Sequence, residues 1–445
     1  MTKLFLLAAL VLAMLSLPRI ASGTTLVLNN QDGPGEGLND TTPVAPVGGN
    51  PATTVGGQRL VVFEFAAQLI GSIIDSSETI SVRASFDPLS CDASSGTLGQ
   101  AGPQSFHKDF PGAPELQTYY TQAQANSHLG FDIELALDDI QAQFNSSLDN
   151  NNSCLNNRNW YYGLDGNAPG NDIDLLTTVL HELIHGLGFI TLVNTGNGSK
   201  PGGTGCPAGG CDDAFMKHIE DHSLAANWPV LSNAQRAASA IDDPDLHFTG
   251  ANVQANIGGL SGGINQGHAR LHGPAPIATG ASVAHFSTAF NPYQLMEPQQ
   301  TGSADNLGLS SFVLQDLGWD VFPASKPVLS TPPDQLMLDT ATLQLDVAVM
   351  DNDSDAASLM FSAMTSNPLV IPQSGLVPGG SGRKRTLSIT PNNGTTGVVT
   401  ITLSVNDGTN SNNTQFEVEV TDDLPPTVTI TSPPDSTIFY AASQD

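Results

Sequence analysis

The sequence predicts an α+β domain of roughly 300 residues followed by an all-β sandwich of about 95. Two observations carry this reading. Up to Pro323, apolar residues recur with helical spacing in some segments and strand alternation in others, as at Leu60, Phe63, Ala67 and Ile70 against Ile80, Val82, Ala84 and Phe86. Between Lys326 and Asp422 the pattern becomes alternating throughout. Leu343, Leu345, Val347 and Val349 form one run, Val399, Ile401, Leu403 and Val405 a second, and Phe416, Val418 and Val420 a third, with Asn406-Asp407-Gly408 as a turn between the last two.

Taken in chain order, Lys3, the apolar run Leu4 to Leu17 and the small residues Ala21-Ser22-Gly23 read as an export signal over residues 1–23, too short for a good membrane span. Asn29 to Asn50 is rich in Gly, Asp and Pro and reads as a surface loop. Gln58 to Ile74 is expected to be helical and Ile80 to Phe86 a strand. A further helix is expected over Leu116 to Asn126, and Ile140 to Asn145 resembles an edge strand. After Phe189 the chain is loop-rich, with a helix expected over Asp213 to Leu224 and a closing helix over Asn306 to Leu317. The first domain is thus expected to span 24–325 and the sandwich 326–424. Thr427 to Ile430 then reads as the opening strand of a further β module over 425–445.

Charge narrows the function classes. With 43 acidic against 14 basic residues the net charge is −29, which argues against nucleic acid or an anionic membrane as partner. Four cysteines behind an export signal fit an oxidising, extracellular compartment. Cys206 and Cys211 are placed to close a small loop, leaving Cys91 for Cys154, while three pairings stay open on sequence alone.

The chemistry is concentrated in His181-Glu182-Leu183-Ile184-His185. Residues four apart share a helix face, so both imidazoles can bind one metal ion while Glu182 addresses a water beside it. Leu176, Leu180, Leu183 and Leu187 form a buried helical stripe, Asn171 or Asp172 can cap the start, and Gly186 and Gly188 provide a stop. A catalytic zinc takes three protein ligands and keeps one position open, so a third ligand must come from downstream. The compact arrangement His-Glu-x-x-His-x-x-Gly-x-x-His is not available, because Thr191 stands where its last histidine belongs. The later histidines are His218, His222, His247, His268, His272 and His285, and the last is followed by Asn291-Pro292-Tyr293-Gln294-Leu295-Met296-Glu297-Pro298.

On these residues the chain resembles a leishmanolysin-type metzincin over roughly Gly56 to Val321. Such enzymes keep the helix and its turn glycine, insert a long segment before the third histidine, and place a methionine turn after it; His185, Gly188, His285 and Met296 match in order. The resemblance implies a metzincin-like two-part catalytic domain, Zn2+ held by His181, His185 and His285, and Met296 as a soft support beneath the imidazoles. The sandwich is similar to cadherin-like and other immunoglobulin-like modules. Glu220 is the third ligand in a rival, thermolysin-like reading, disfavoured because that family's second-helix motif is absent. His218 and His222 also stand four apart, but Ile219 holds the position next to His218 where the motif needs glutamate, and no second metal is expected on that pair.

Two smaller features complete the inventory. Asp351, Asp353 and Asp355, joined by Asp407, offer hard oxygen ligands for Ca2+. Arg383-Lys384-Arg385 reads as an exposed strand edge. The expectation is an exported zinc endopeptidase acting on protein or peptide substrates, with Glu182 as general base and surface or matrix contact through the β module. The competing class is a surface adhesin on a decayed peptidase scaffold; the intact Glu182 argues against it, since a structural zinc site needs no general base.

Overall fold

A computed structural model describes residues 24–422, so the expected export signal and the expected β module from residue 425 lie outside the described residues. The first domain is mixed α and β. A four-stranded sheet runs in the order Leu26–Asn30, Ile80–Asp87, Ile140–Asn145, Gly99–Pro103. The first three strands are parallel and the last is antiparallel to its neighbour.

Helix α1 (Val55–Gly71) makes the crossover between the first two strands and starts at Thr54, whose side chain accepts the Gly57 N–H. Helix α2 spans Gln122–Leu129 and α3 Leu175–Gly186. α1 and α3 pack on each other, and α3 also lies against the strands Gly99–Pro103 and Ile140–Asn145. Short helices α4 (Asn233–Ser239) and α5 (Ala251–Asn256) follow, then the closing helix α6 (Leu309–Asp316), which packs on α5.

Several expectations need correction. Ile140–Asn145 is an interior strand; the edge is Gly99–Pro103, whose Gly-Gln-Ala-Gly-Pro sequence carries no alternation. The stretch expected to be helical from Leu116 begins as the strand Thr118–Thr121, paired with Phe106–His107 and Asp212–Asp213. Only at Thr121, through a capping box with Gln124, does the helix start. No helix forms over Asp213 to Leu224 either. Buried Asp213 accepts the Met216 N–H, one 3-10 turn follows, and Ile219–Asp221 enters a second sheet. That sheet runs Ala226–Asn227, Ile219–Asp221, Leu246–Phe248, His268–Arg270, Ile264–Asn265.

The C-terminal part is a sandwich of two four-stranded sheets. One is ordered Val328–Leu329, Leu343–Met350, Lys384–Ile389, Leu376–Ser381; the other Gln335–Leu338, Ser411–Thr421, Gly397–Asn406, Met360–Thr365. The alternating Val399, Ile401, Leu403 and Val405 are fully buried in its core with Val347, Val349, Leu387 and Val418.

The sandwich does not hang free. Ala348 and Met350 belong to the core of the first domain, and Arg383, expected at an exposed edge, is 5% exposed. Its guanidinium donates to the carbonyls of Ala304 (3.0 Å) and Leu164 (2.6 Å), across the junction. Arg385 is also buried, donating to the carbonyls of Ala356 and Leu359; of the three basic residues only Lys384 meets an acid at the surface, Asp346 at 2.8 Å.

Both disulfides join the pairs preferred from spacing: Cys91 with Cys154, and Cys206 with Cys211.

Candidate metal centre

Helix α3 is buried on nearly every side; from Leu175 to Gly186 only His181 is half-buried. Its cap is Asp174, nearer the helix than the expected Asn171 or Asp172, and the Asp174 side chain accepts the Thr177 N–H at 3.3 Å. The helix ends in a tight reversal at Gly188, whose φ of +125° disfavours any side chain. That reversal turns the Phe189 carbonyl back onto His185, where it accepts the Nδ1–H at 2.8 Å. Trp319, just beyond α6, locks the same end by donating its indole N–H to the Leu187 carbonyl at 2.9 Å.

His285 arrives from the far side. The chain Leu271-His272 continues the strand His268–Arg270 and pairs with the His285 segment: His272 N–H donates to the His285 carbonyl, and Val283 N–H to that of His272, both at 2.8 Å. Val283 itself holds φ +75°, a conformation costing a β-branched residue about 1–3 kcal/mol, two residues before His285. Leu295 and Met296 complete the enclosure through their backbones. The Leu295 carbonyl accepts the His181 Nδ1–H at 2.7 Å, and the Met296 carbonyl accepts the Phe286 N–H at 2.8 Å. The Met296 side chain is fully buried in the core.

The three imidazoles converge. His285 Nε2 lies 3.1 Å from His181 Nε2 and 3.2 Å from His185 Nε2. Each Nδ1 faces a backbone carbonyl, which can only accept, His285 doing so with Ala281 at 2.9 Å. The protons are therefore on Nδ1, and three Nε2 lone pairs point at one another with no hydrogen between them. Burial holds the rings neutral, pushing His181 down to about 3, His185 to about 4 and His285 well below the ordinary histidine range. Lone pairs packed this closely repel unless a cation sits among them, and carbonyl-anchored Nδ1 atoms are how metal-ligating histidines are usually oriented. The donor set fits a metal ion.

Glu182 is 6% exposed, and burial pushes its carboxyl up to about 8, opposed by the backbone N–H of Ala101. The strand Gly99–Pro103 passes directly over it: a Cβ on Gly99 would lie 2.8 Å from Glu182 Cγ and 2.9 Å from Oε1. Asp213, buried and pushed up to about 6 by desolvation, holds the chain after the helix by accepting from Thr191 Oγ1 and Leu192 N–H, each at 2.8 Å. Thus Thr191 serves as an anchor where a compact metzincin has its last histidine. Gly99, Ala101 and Asp213 carry no periodic or motif signal in the sequence.

Glu220 is not part of this centre. It stands with His222 and His247 in a separate cluster, and His218 in neither, its ring lying against Phe248. In the sandwich, carboxylate oxygens of Asp351, Asp353 and Asp407 come within 4.8 Å of one another, whereas Asp355 is outside the group and accepts the Ala357 N–H. Asp351 is 1% exposed, its Oδ2 has no partner among the described residues, and burial pushes it up to about 6.

Comparison with known proteins bears mainly on the C-terminal part. Residues 324–421 match the bacterial Ig domain profile and residues 62–196 a profile described as SPBPB7E8-like. The C-terminal part is thus a bacterial immunoglobulin-like domain. No curated protein matches the chain. Among solved structures it is similar to an endo-fucoidan hydrolase of glycoside hydrolase family 107, at 22% identity over 21% of this chain and 13% of that one, TM-score 0.17. It is also similar to titin domain M7, at 12% identity over 22% and 96%, and to domains 4 and 5 of the S-layer protein SbsC, at 17% identity over 21% and 53%, each with TM-score 0.17.

Proposed function

We propose that the first domain is an exported zinc endopeptidase of the leishmanolysin-like metzincin type. The observation that carries this reading is the meeting of three Nδ1-protonated imidazoles next to a buried carboxylate on the same helix. Three neutral histidines suit zinc and leave a position open for reaction. Held by His181, His185 and His285, the ion supplies Lewis-acid polarisation of a peptide carbonyl and a lowered pKa for water. Glu182 takes the water proton and passes it to the leaving amine nitrogen. The strand Gly99–Pro103 packed over its side chain restricts where the carboxylate can stand. Among the described residues the strand Gly99–Pro103 pairs on one side only, so its outer edge can receive an extended peptide as an added strand.

The test is metal analysis with a casein-type assay, with and without chelator. Stoichiometric zinc and chelator-sensitive cleavage are expected. A folded protein that binds zinc and cleaves no protein substrate overturns the reading in favour of an adhesin. Gly99→Ala probes the general base specifically: the new methyl must displace Glu182, so hydrolysis is expected to fall by roughly 10²-fold with zinc content unchanged.

Calcium is proposed at Asp351, Asp353 and Asp407, supported by the partnerless buried oxygen of Asp351. Added calcium should raise the midpoint of thermal unfolding, and Asp351→Asn should remove the response while leaving the zinc content intact. An unchanged midpoint in the wild type would dismiss this site.

A further inference from the structure

The sheet built from Ile219–Asp221, Leu246–Phe248 and His268–Arg270 gathers chemistry that peptide hydrolysis does not use. Glu220 and His247 are directly opposed across two of its strands, His222 follows the first strand, and His268 opens the third. Ligand atoms of Glu220, His222 and His247 lie within 4.8 Å of one another. The His247 ring sits between the other two imidazoles, 5.5 Å from each by centroid.

What singles out this cluster is a set of missing partners. Nδ1 of His222, His247 and His268 are all buried and, among the described residues, none has a hydrogen bond. For His247 the tautomer follows from geometry: Nε2–H donates to the Pro244 carbonyl at 3.0 Å, so Nδ1 carries a lone pair, in a residue with no exposed surface. Such an orphaned buried acceptor is destabilising unless something fills the space before it. Glu220 stands off from the rings by distances too long for hydrogen bonds, Oε1 at 3.8 Å from His222 Nδ1 and Oε2 at 3.7 Å from His268 Nδ1. Two ligands on one tetrahedral ion with bonds of about 2.0–2.2 Å stand about 3.4 Å apart, so the gap between Glu220 and His222 need close by only a few tenths of an ångström.

We propose that Glu220, His222 and His247 form a second, structural transition-metal site, with the His268 ring at its edge. A mixed imidazole and carboxylate set selects zinc, copper or nickel over calcium or magnesium. The half-exposed rims of His222 and His268 give an ion its way in. The strand beginning at His268 continues into the His272 pairing with His285, so an ion here braces the platform that presents His285.

The test is zinc titration of chelator-stripped full-length protein in excess calcium, read by metal analysis and by the visible spectrum with Co2+. Wild type should take up two equivalents, Glu220→Gln/His222→Ala one, and His181→Ala/His185→Ala one, at the other site. A wild type that saturates at one equivalent overturns the proposal, as does a Glu220→Gln/His222→Ala protein that still binds two. If instead His181→Ala/His185→Ala leaves the count unchanged, the peptidase centre fails and this site stands. Should the Glu220 variant not fold, the Cu2+ spectrum of wild type decides: a second equivalent must show imidazole nitrogen coupling, and its absence overturns the site.

Discussion

Glu182→Gln should retain stoichiometric zinc and lose roughly 10²–10⁴-fold in peptide hydrolysis. The substitution keeps the size of the side chain, so α3 and the three imidazoles have no reason to move. What disappears is a group able to take a proton from water and return it to the leaving nitrogen. Metal analysis beside kcat on a protein substrate checks both halves. Hydrolysis within a few-fold of wild type, at full zinc content, would remove Glu182 from the mechanism.

His285→Ala should lose metal and activity together. Taking one of the three imidazoles from the proposed zinc centre should weaken zinc affinity by at least about 100-fold, more than loss of a supporting hydrogen bond does. The Nε2 atoms of His181 and His185 each pack within 3.2 Å of His285 and would face an empty space. Glu220→Ala is the control for the thermolysin-like alternative: it should keep the zinc at His181, His185 and His285, because Glu220 belongs to the other cluster. The opposite pair of results, that zinc lost with Glu220 and kept without His285, would exchange the third ligand. Zinc affinity by competition with a chelating dye separates a metal-binding loss from a loss of chemistry.

The parts legible in the sequence were those whose information is local. Helix α3 follows from the spacing of Leu176, Leu180 and Leu183, and the sandwich strands from strict alternation, because burial of one face imposes a period that any window of ten residues displays. The failures share a cause as well. Thr118–Thr121 and Ile219–Asp221 are strands because distant segments offer pairing edges, Asp212–Asp213 to one and Leu246–Phe248 to the other. In a short segment, such partners outweigh local preference. Arg383 departs from the expected exposed edge for a related reason: a basic run looks solvated until the carbonyls of Ala304 and Leu164, supplied by another domain, are in place to take its donors.

By itself the sequence determined which residues can share one helix face, and so that His181 and His185 act as a pair with Glu182 beside them; the 3.6-residue repeat leaves no alternative once α3 forms. It also determined that a reversal follows, since Gly188 alone tolerates the φ of +125° that turns Phe189 back onto His185. Only the tertiary structure decided how the chain brings His285 to that pair across 100 residues, which carbonyls protonate-lock the three rings, and that Glu182 lies under Gly99. Only it separated Glu220 and His222 from His218 and set them against His247 and His268. The division has a physical basis: helix periodicity and backbone sterics act between near neighbours, whereas convergence of side chains on a point depends on how sheets and loops distant in sequence pack.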